Sequence, residues 1–233
     1  MSLTLLHLSD PHLDGGDTRA HRLRSALDLM PASRRPDAVV ITGDVADHGT
    51  EPEYAQFRRI MADRGPWIAA PGNHDDPARL GDDGPVTSLD LEGLRVIALD
   101  VTVPGQDHGR LRPEVADLAV EHAAGARATV LAFHQPPLAL GHSYIDSMRL
   151  RNPDAVEALI ARIGTVAAVL CGHAHTPGAA VFAGVPLLLA PGIASALRPD
   201  PDHRPLTNSD VPPGAALHRF DGPAVTTTFH FAA

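Results

Sequence analysis

Cys171-Gly172-His173-Ala174-His175 closes the apolar run Val166 to Leu170, and this is the stretch from which the fold can be read. Two imidazoles at i and i+2, directly after a strand-like run and a glycine, point the same way from a tight turn, as two ligands converging on a metal would have to. Working outward, four more apolar runs end in a metal- or phosphate-capable residue. Asp10 and His12 follow Leu3 to Leu8, Asp44 follows Ala38 to Thr42, Asn73 and His74 follow Trp67 to Ala70, and His134 follows Ala128 to Phe133. A lone histidine at a strand end is more often a hydrogen-bonded structural residue than a ligand. Seven candidate ligands, with His74 beside them, at five successive strand ends reverse that expectation, because strand ends can share one rim.

The 233 residues, 44% of them hydrophobic, suffice for a well-buried core and suggest a single domain over 1–233. With 28 acidic against 19 basic residues the formal charge is -9, which disfavours a nucleic-acid backbone as the main partner. Every basic residue is arginine, so Schiff-base and P-loop lysine chemistry is excluded. Cys171 is the only cysteine, which rules out an intramolecular disulfide and a thiolate-rich zinc site, so any metal must be held by His, Asp and Asn. The start MSLTLLHLSDPH has no basic leader, and no apolar run approaches the roughly 18 residues of a membrane span, so a soluble, cytoplasmic protein is expected.

Taken in order, the chain alternates strand and helix. The strand Leu3 to Leu8 leads to a helix over Thr18 to Met30, and Asp37 to Thr42 leads to a helix ending at Met61, with Thr50 and Glu53 forming a capping box. Trp67 to Ala70 follows, with Asp76 as the next N-cap before Pro77. Val86 to Leu91 and Leu94 to Asp100 flank Glu92-Gly93 as a hairpin, followed by a helix over Pro113 to Ala124. After His134 we expect a loop through Ser143, then a helix over Pro153 to Ile163 capped by Asn152. The C-terminal third reads as short strands, with Arg198 to Pro213 a long surface loop. Alternation followed by strands implies two packed sheets flanked by helices, an α/β class.

The donor types narrow the chemistry. Asp10 and His12, spaced i and i+2, can bind one ion together, and Asp44, alone after a glycine, suits a bridge between two ions. Asn73 offers a neutral carbonyl oxygen, better matched to six-coordinate manganese or iron than to a single zinc, which is the alternative. Carboxylate, imidazole and amide together describe a two-metal hydrolase, in which a shared hydroxide attacks phosphorus between ions about 3.5 to 4 Å apart.

The series Asp10/His12, Gly43-Asp44-Val45-Ala46-Asp47, Gly72-Asn73-His74-Asp75, His134 and Gly172-His173-Ala174-His175 resembles the calcineurin-like metallophosphoesterase superfamily. FHQPP around His134, HGRL at 108–111 and IDSMRLRN at 145–152 are similar to bacterial class III cyclic nucleotide phosphodiesterases and their glycerophosphodiesterase relatives. The resemblance implies a four-layer α/β/β/α sandwich with the site at the strand ends. It implies that Asp10, His12, Asp44 and His175 hold one metal and Asp44, Asn73, His134 and His173 the other, with His74 on the phosphate and leaving group. Asp47 and Asp75 are expected to orient ligands rather than bind metal.

The implied activity is hydrolysis of a small phosphodiester, first 3',5'-cyclic AMP or GMP and otherwise a glycerophosphodiester. A non-catalytic interaction scaffold is the opposing reading, and the complete ligand set with His74 weighs against it. Tyr144, in the loop after His134, is a candidate to stack on a base, and packing against the next helix or a homodimer partner is its alternative role. His48, His108 and His142 lie in loops whose reach is left open by the sequence.

Overall fold

Period-two alternation in the apolar runs places each central strand between two cores. The computed structural model describes residues 2–81, 84–222 and 224–233. In β1 (Ser2–Leu8) and β2 (Ala38–Thr42), Leu6, Leu8, Val39 and Ile41 face helices α1 (Asp17–Leu27) and α2 (Glu51–Met61), meeting Leu23, Phe57 and Met61. Their neighbours Leu5, Ala38 and Val40 face the other way and join a second core.

With β3 (Trp67–Ala70), β12 (Gly214–Asp221) and β13 (Ala224–Phe231) they form a five-stranded sheet in the order β13-β12-β1-β2-β3. The second sheet combines β4 (Val86–Leu91), β5 (Leu94–Leu99), β6 (Thr129–Ala132), β7 (Val166–Cys171), β8 (Gly178–Phe182) and β9 (Val185–Leu189), in the order β4-β5-β6-β7-β9-β8. Val96, Val130 and Leu170 of that sheet meet Leu5 and Val40 of the first, so the two sheets share one core. On the far face, Leu131 and Val169 pack with Val115 and Ala119 of α4 (Pro113–Ala123) and Leu159 of α6 (Pro153–Ile163).

Most expected elements are present with small shifts. The first helix stops at Leu27, short of the expected Met30, with Asp28 N–H closing on Arg24 O at 2.9 Å. Glu53 accepts the Thr50 N–H at 2.9 Å, and Asp76 caps a short helix α3 (Pro77–Leu80) by accepting from Ala78. Three expectations change. Asn152 does not cap α6 with its side chain; its amide instead brackets the Leu111 main chain, accepting its N–H at 3.0 Å and donating to its carbonyl at 2.8 Å. The expected loop after His134 contains a helix, α5 (Ser143–Ser147). The expected loop Arg198 to Pro213 carries half of a ribbon, β10 (Ala196–Leu197) paired with β11 (Thr207–Asn208).

Between the sheets runs a polar chain with no obvious sequence signature. Thr42 Oγ1 lies 2.8 Å from His7 Nε2, His7 Nδ1 lies 3.0 Å from His218 Nε2, and His218 Nδ1 lies 2.9 Å from Thr227 Oγ1. A neutral imidazole pair satisfies this chain with one donor and one acceptor at its centre, whereas protonating both rings sets N–H against N–H. Burial, reinforced by His218, holds His7 well below the usual imidazole range, and burial lowers His218 to about 3.

With both values depressed in the folded chain, the unfolded chain takes up these protons first. The stability is therefore full above about pH 6.5 and falls below it, by up to about 1.4 kcal/mol per pH unit for each ring. His218→Gln is expected to flatten the fall of the melting temperature between pH 6.5 and 5 relative to wild type. Parallel profiles for the two proteins would remove this pair as the source of acid sensitivity.

Candidate metal centre

The carboxyl ends of β1, β2 and β3 in one sheet and of β6 and β7 in the other deliver the candidate ligands to one place. Asp44 Oδ2 stands 3.4 Å from His12 Nε2 and 3.3 Å from His134 Nε2, between the two histidines. Asp10 Oδ1 stands 3.4 Å from His175 Nε2 and 3.9 Å from His134 Nε2. His12 Nε2 and His175 Nε2 are 3.3 Å apart, and His173 Nδ1 is 3.2 Å from His134 Nε2. Asn73 lines the same cavity, its Oδ1 facing Gln135 Nε2 at 3.4 Å.

Close approach explains the motif glycines. A Cβ on Gly72 would lie 2.2 Å from Asp44 Oδ1, and one on Gly172 would lie 1.8 Å from Ser9 Oγ. Five of the seven candidate ligands adopt left-handed backbone: Asp10 (φ 55°), His12 (45°), Asp44 (50°), His173 (67°) and His175 (48°). Such conformations in residues with a Cβ cost on the order of 1 kcal/mol or more each and persist only where the surroundings fix them. Here Asp10 N–H donates to Gly43 O at 3.1 Å, His12 N–H to Asp44 O at 2.9 Å and His173 N–H to Asp10 Oδ2 at 3.1 Å, so the loops hold one another.

Three of the four candidate-ligand imidazoles are oriented from behind, His173 being the exception. His12 Nδ1 meets Asp47 Oδ1 at 3.0 Å, His134 Nδ1 meets the Thr42 carbonyl at 2.6 Å, and His175 Nδ1 meets the Ser195 carbonyl at 3.1 Å. In these three the outer nitrogen donates and Nε2 faces the centre, the arrangement that fixes the tautomer of a metal-ligating histidine. Asp47 is thus an orienting carboxylate, and Arg19 Nη1 braces it at 2.8 Å. Asp75 accepts the N–H groups of Val45, Ala46 and Gly72 and the hydroxyl of Tyr54, stitching the Asp44 turn to the Asn73 turn.

The electrostatics match a cation site. Burial raises the Asp44 carboxyl, but His134, His12 and His74 outweigh it and hold it well below the carboxylate range. Burial opposes a proton on His134, yet Asp44 and Asp10 raise it to about 9. Burial and the neighbouring His134 lower His173 to about 3. Burial, and then Asp44, push Asp75 up to about 6. Asp10 Oδ1 and His173 Nε2 are buried without a hydrogen-bond partner, an uncommon condition that a cation at this centre would explain for the carboxylate. Donor atoms of Asp10, His12 and His175, and of Asp10, Asp44 and His134, gather within 4.8 Å, so the residues fit two ions of the oxygen- and nitrogen-seeking kind.

A third such group adds His74 to His12 and Asp44. His74 differs from the others in being exposed, with its Nδ1 held by the Asp47 carbonyl at 2.8 Å, which leaves Nε2 free. Of the three loop histidines left open by the sequence, His48 bonds Glu53 at 2.9 Å, and buried His142 accepts weakly from Ile145 N–H at 3.5 Å. None of His48, His108 and His142 is among the described residues lining the cavity. Thr42, Ser195, Arg19 and Tyr54 support the site through contacts that no local motif announces.

The cavity above the centre measures about 330 Å³ and takes its apolar walls from Tyr144, Ile145 and Met148 on one side and Leu197 and Leu206 on another. Tyr144 is 45% exposed, so its ring is not consumed by packing.

Strand ends of two sheets converging on a set of His, Asp and Asn donors define a metal-dependent phosphoesterase scaffold. The chain belongs to the calcineurin-like phosphoesterase family, whose profile matches residues 3–177. It is 37% identical over 210 residues to a cAMP/cGMP dual specificity phosphodiesterase of Mycobacterium tuberculosis, covering 80% of this chain and 66% of that one. It is 34% identical over 195 residues to a 3',5'-cyclic adenosine monophosphate phosphodiesterase of Pseudomonas aeruginosa, covering 75% of this chain and 70% of that one. Among solved structures, a dimetal phosphatase from Danio rerio superposes with a TM-score of 0.69 at 13% identity, over 99% of each chain. The expected metallophosphoesterase fold is thereby established. No helix among the described residues is long and apolar enough to cross a membrane.

Proposed function

We propose that this chain hydrolyses 3',5'-cyclic nucleotides, cAMP and cGMP, inside the cell. The observation that carries the reading is the cavity of about 330 Å³ that opens on the paired donor groups, with one imidazole nitrogen, His74 Nε2, free beside them and apolar walls beyond. The similarity to two cyclic nucleotide phosphodiesterases supports the choice of substrate. Asp10, His12, Asp44 and His175 would hold one ion and Asp44, Asn73, His134 and His173 the other, manganese or iron first and zinc as the alternative. Bound there, two such ions supply an activated water and neutralise charge on the phosphoryl oxygens.

The chain's own groups do the rest. The Asp47 carbonyl fixes His74 Nδ1–H, so a proton on Nε2 is aimed at the oxygen that leaves phosphorus. Tyr144, Met148 and Leu206 enclose the part of the substrate remote from phosphorus. The deciding experiment is metal analysis of the purified protein, followed by relative rates under Mn²⁺. The panel is 3',5'- and 2',3'-cyclic nucleotides, glycerophosphodiesters, bis(p-nitrophenyl) phosphate and p-nitrophenyl phosphate. A glycerophosphodiester turned over faster than every cyclic nucleotide would overturn the substrate assignment, and no hydrolysis at all would favour the scaffold.

Tyr144→Ala provides a narrower test. It is expected to raise KM for cyclic nucleotides about fivefold while leaving bis(p-nitrophenyl) phosphate nearly unaffected, because uniform binding of a remote group is lost. An equal effect on both substrates, or a changed oligomeric state, would assign the ring to packing, including packing in a homodimer.

A further inference from the structure

One wall of the cavity belongs to neither large sheet. Residues 193–211 leave the first sheet's neighbourhood, form the β10–β11 ribbon and return, placing Leu197, Leu206 and Thr207 on the cavity. The outgoing limb is tied to the site by its own backbone. Ile193 N–H donates to Ser9 O at 3.0 Å, Ala194 N–H to Asp10 O at 3.0 Å and Leu197 N–H to His175 O at 3.0 Å. The return limb has no such anchor to the metal loops among the described residues. It is held by a pairing of two residues per strand, extended by Arg198 N–H on Leu206 O at 2.8 Å, and by one side chain from α1.

That side chain is Arg22. Its Nε donates to Ile193 O at 2.6 Å, Nη1 to Ser209 O at 3.0 Å and Nη2 to Val211 O at 2.7 Å. A single planar group therefore spans the root of the outgoing limb and the root of the return limb. The acceptors are main-chain carbonyls without formal charge, so the fork fixes geometry rather than neutralising an acid. Docking of α1 itself does not depend on it, since Ala20, Leu23, Ala26 and Leu27 already bury that helix against β1 and β2.

We propose that Arg22 is a positioning residue that braces the Leu206–Thr207 wall against the cavity and thereby sets how the part of the substrate remote from phosphorus is bound. The kinetic consequence rests on the phosphodiesterase reading, whereas the brace itself can be read without substrate. Because Ser195 and Leu197 are anchored through the outgoing limb, His175 keeps its orientation when Arg22 is lost, and the metal centre is predicted to stay intact.

The test compares wild type, Arg22→Ala and Arg22→Lys. Hydrogen exchange of ligand-free protein is expected to speed up about tenfold or more in fragments covering 196–211 for both variants, with α1 and β1 unchanged. Metal content is expected to remain that of wild type. KM for cyclic AMP is expected to rise about fivefold with kcat within about twofold, while kcat/KM for bis(p-nitrophenyl) phosphate stays within about twofold. Lysine keeps the charge but cannot span three carbonyls, so it should behave like alanine.

Unchanged exchange in 196–211 would overturn the brace, and so would wild-type behaviour of the lysine variant. Equal loss on both substrates would overturn the role in binding the remote group. If the alanine variant fails to fold, the lysine variant carries the same comparison. If no cyclic nucleotide is hydrolysed even by wild type, the exchange result still decides the brace while the functional reading fails separately.

Discussion

Asp44→Ala is expected to reduce bound metal to one ion or fewer per chain and to abolish phosphodiester hydrolysis, with the fold retained. The Asp44 Oδ2 atom stands between His12 and His134, within 3.4 Å of one and 3.3 Å of the other, and is more nearly centred between the two histidine groups than Asp10 Oδ1, which lies 3.4 Å from His175 and 3.9 Å from His134. Two divalent ions about 4 Å apart repel each other by roughly 17 kcal/mol at an effective dielectric of 20. A bridging carboxylate offsets that repulsion more directly than any ligand on the periphery. The fold should survive because Val45 and Ala46 keep their hydrogen bonds to Asp75, and Gly72, freed of contact with the Asp44 carboxylate, gains room. Elemental analysis alongside circular dichroism reads both halves. Two metals per chain with near-native turnover would show that Asp44 does not bridge.

The second large effect is expected at His74. His74→Ala should keep both metals and lower turnover of cyclic nucleotides on the order of 10²-fold, with a much smaller loss for bis(p-nitrophenyl) phosphate. The reason is geometric. The Nδ1 of His74 is committed to the Asp47 carbonyl, and its exposure contrasts with the burial of Asp10, His12, Asp44, His134 and His173. A p-nitrophenolate departs without a proton, whereas an unactivated ribose oxygen needs one. Equal losses on both substrates would remove the proton-donor role and leave stabilisation of the phosphoryl group. Loss of a metal would instead make His74 a ligand, as its nearness to His12 and Asp44 permits.

The sequence carried the class of the site because its chemistry is written locally. Five strand ends each carry one or more metal-capable residues, three of them directly after a glycine, and adjacent strand residues such as Leu5 and Leu6 or Val39 and Val40 must face opposite sides. The misreadings have local causes too. Asn152 before Pro153 looks like an N-cap, but its amide finds the Leu111 main chain forty-one residues away in sequence. The five-residue helix Ser143–Ser147 is too short to show a helical period, and the pairing of Ala196–Leu197 with Thr207–Asn208 depends on a contact across a proline-rich turn.

By itself, then, the sequence determined the metal-capable donor set, its order along the chain and the α/β class, because ligand chemistry and strand periodicity act over a few neighbouring residues. Only the tertiary structure decided which groups stand behind those donors: Thr42, Asp47 and Ser195 on the outer nitrogens of His134, His12 and His175. It alone decided that Arg22 reaches Ile193, Ser209 and Val211, and that Tyr144 and Leu206 wall one cavity. Apart from Asp47, whose orienting role was expected, and the cavity walls, these contacts run from 20 to nearly 200 positions along the chain to main-chain carbonyls, which every residue possesses, so no side-chain pattern in the sequence could announce them.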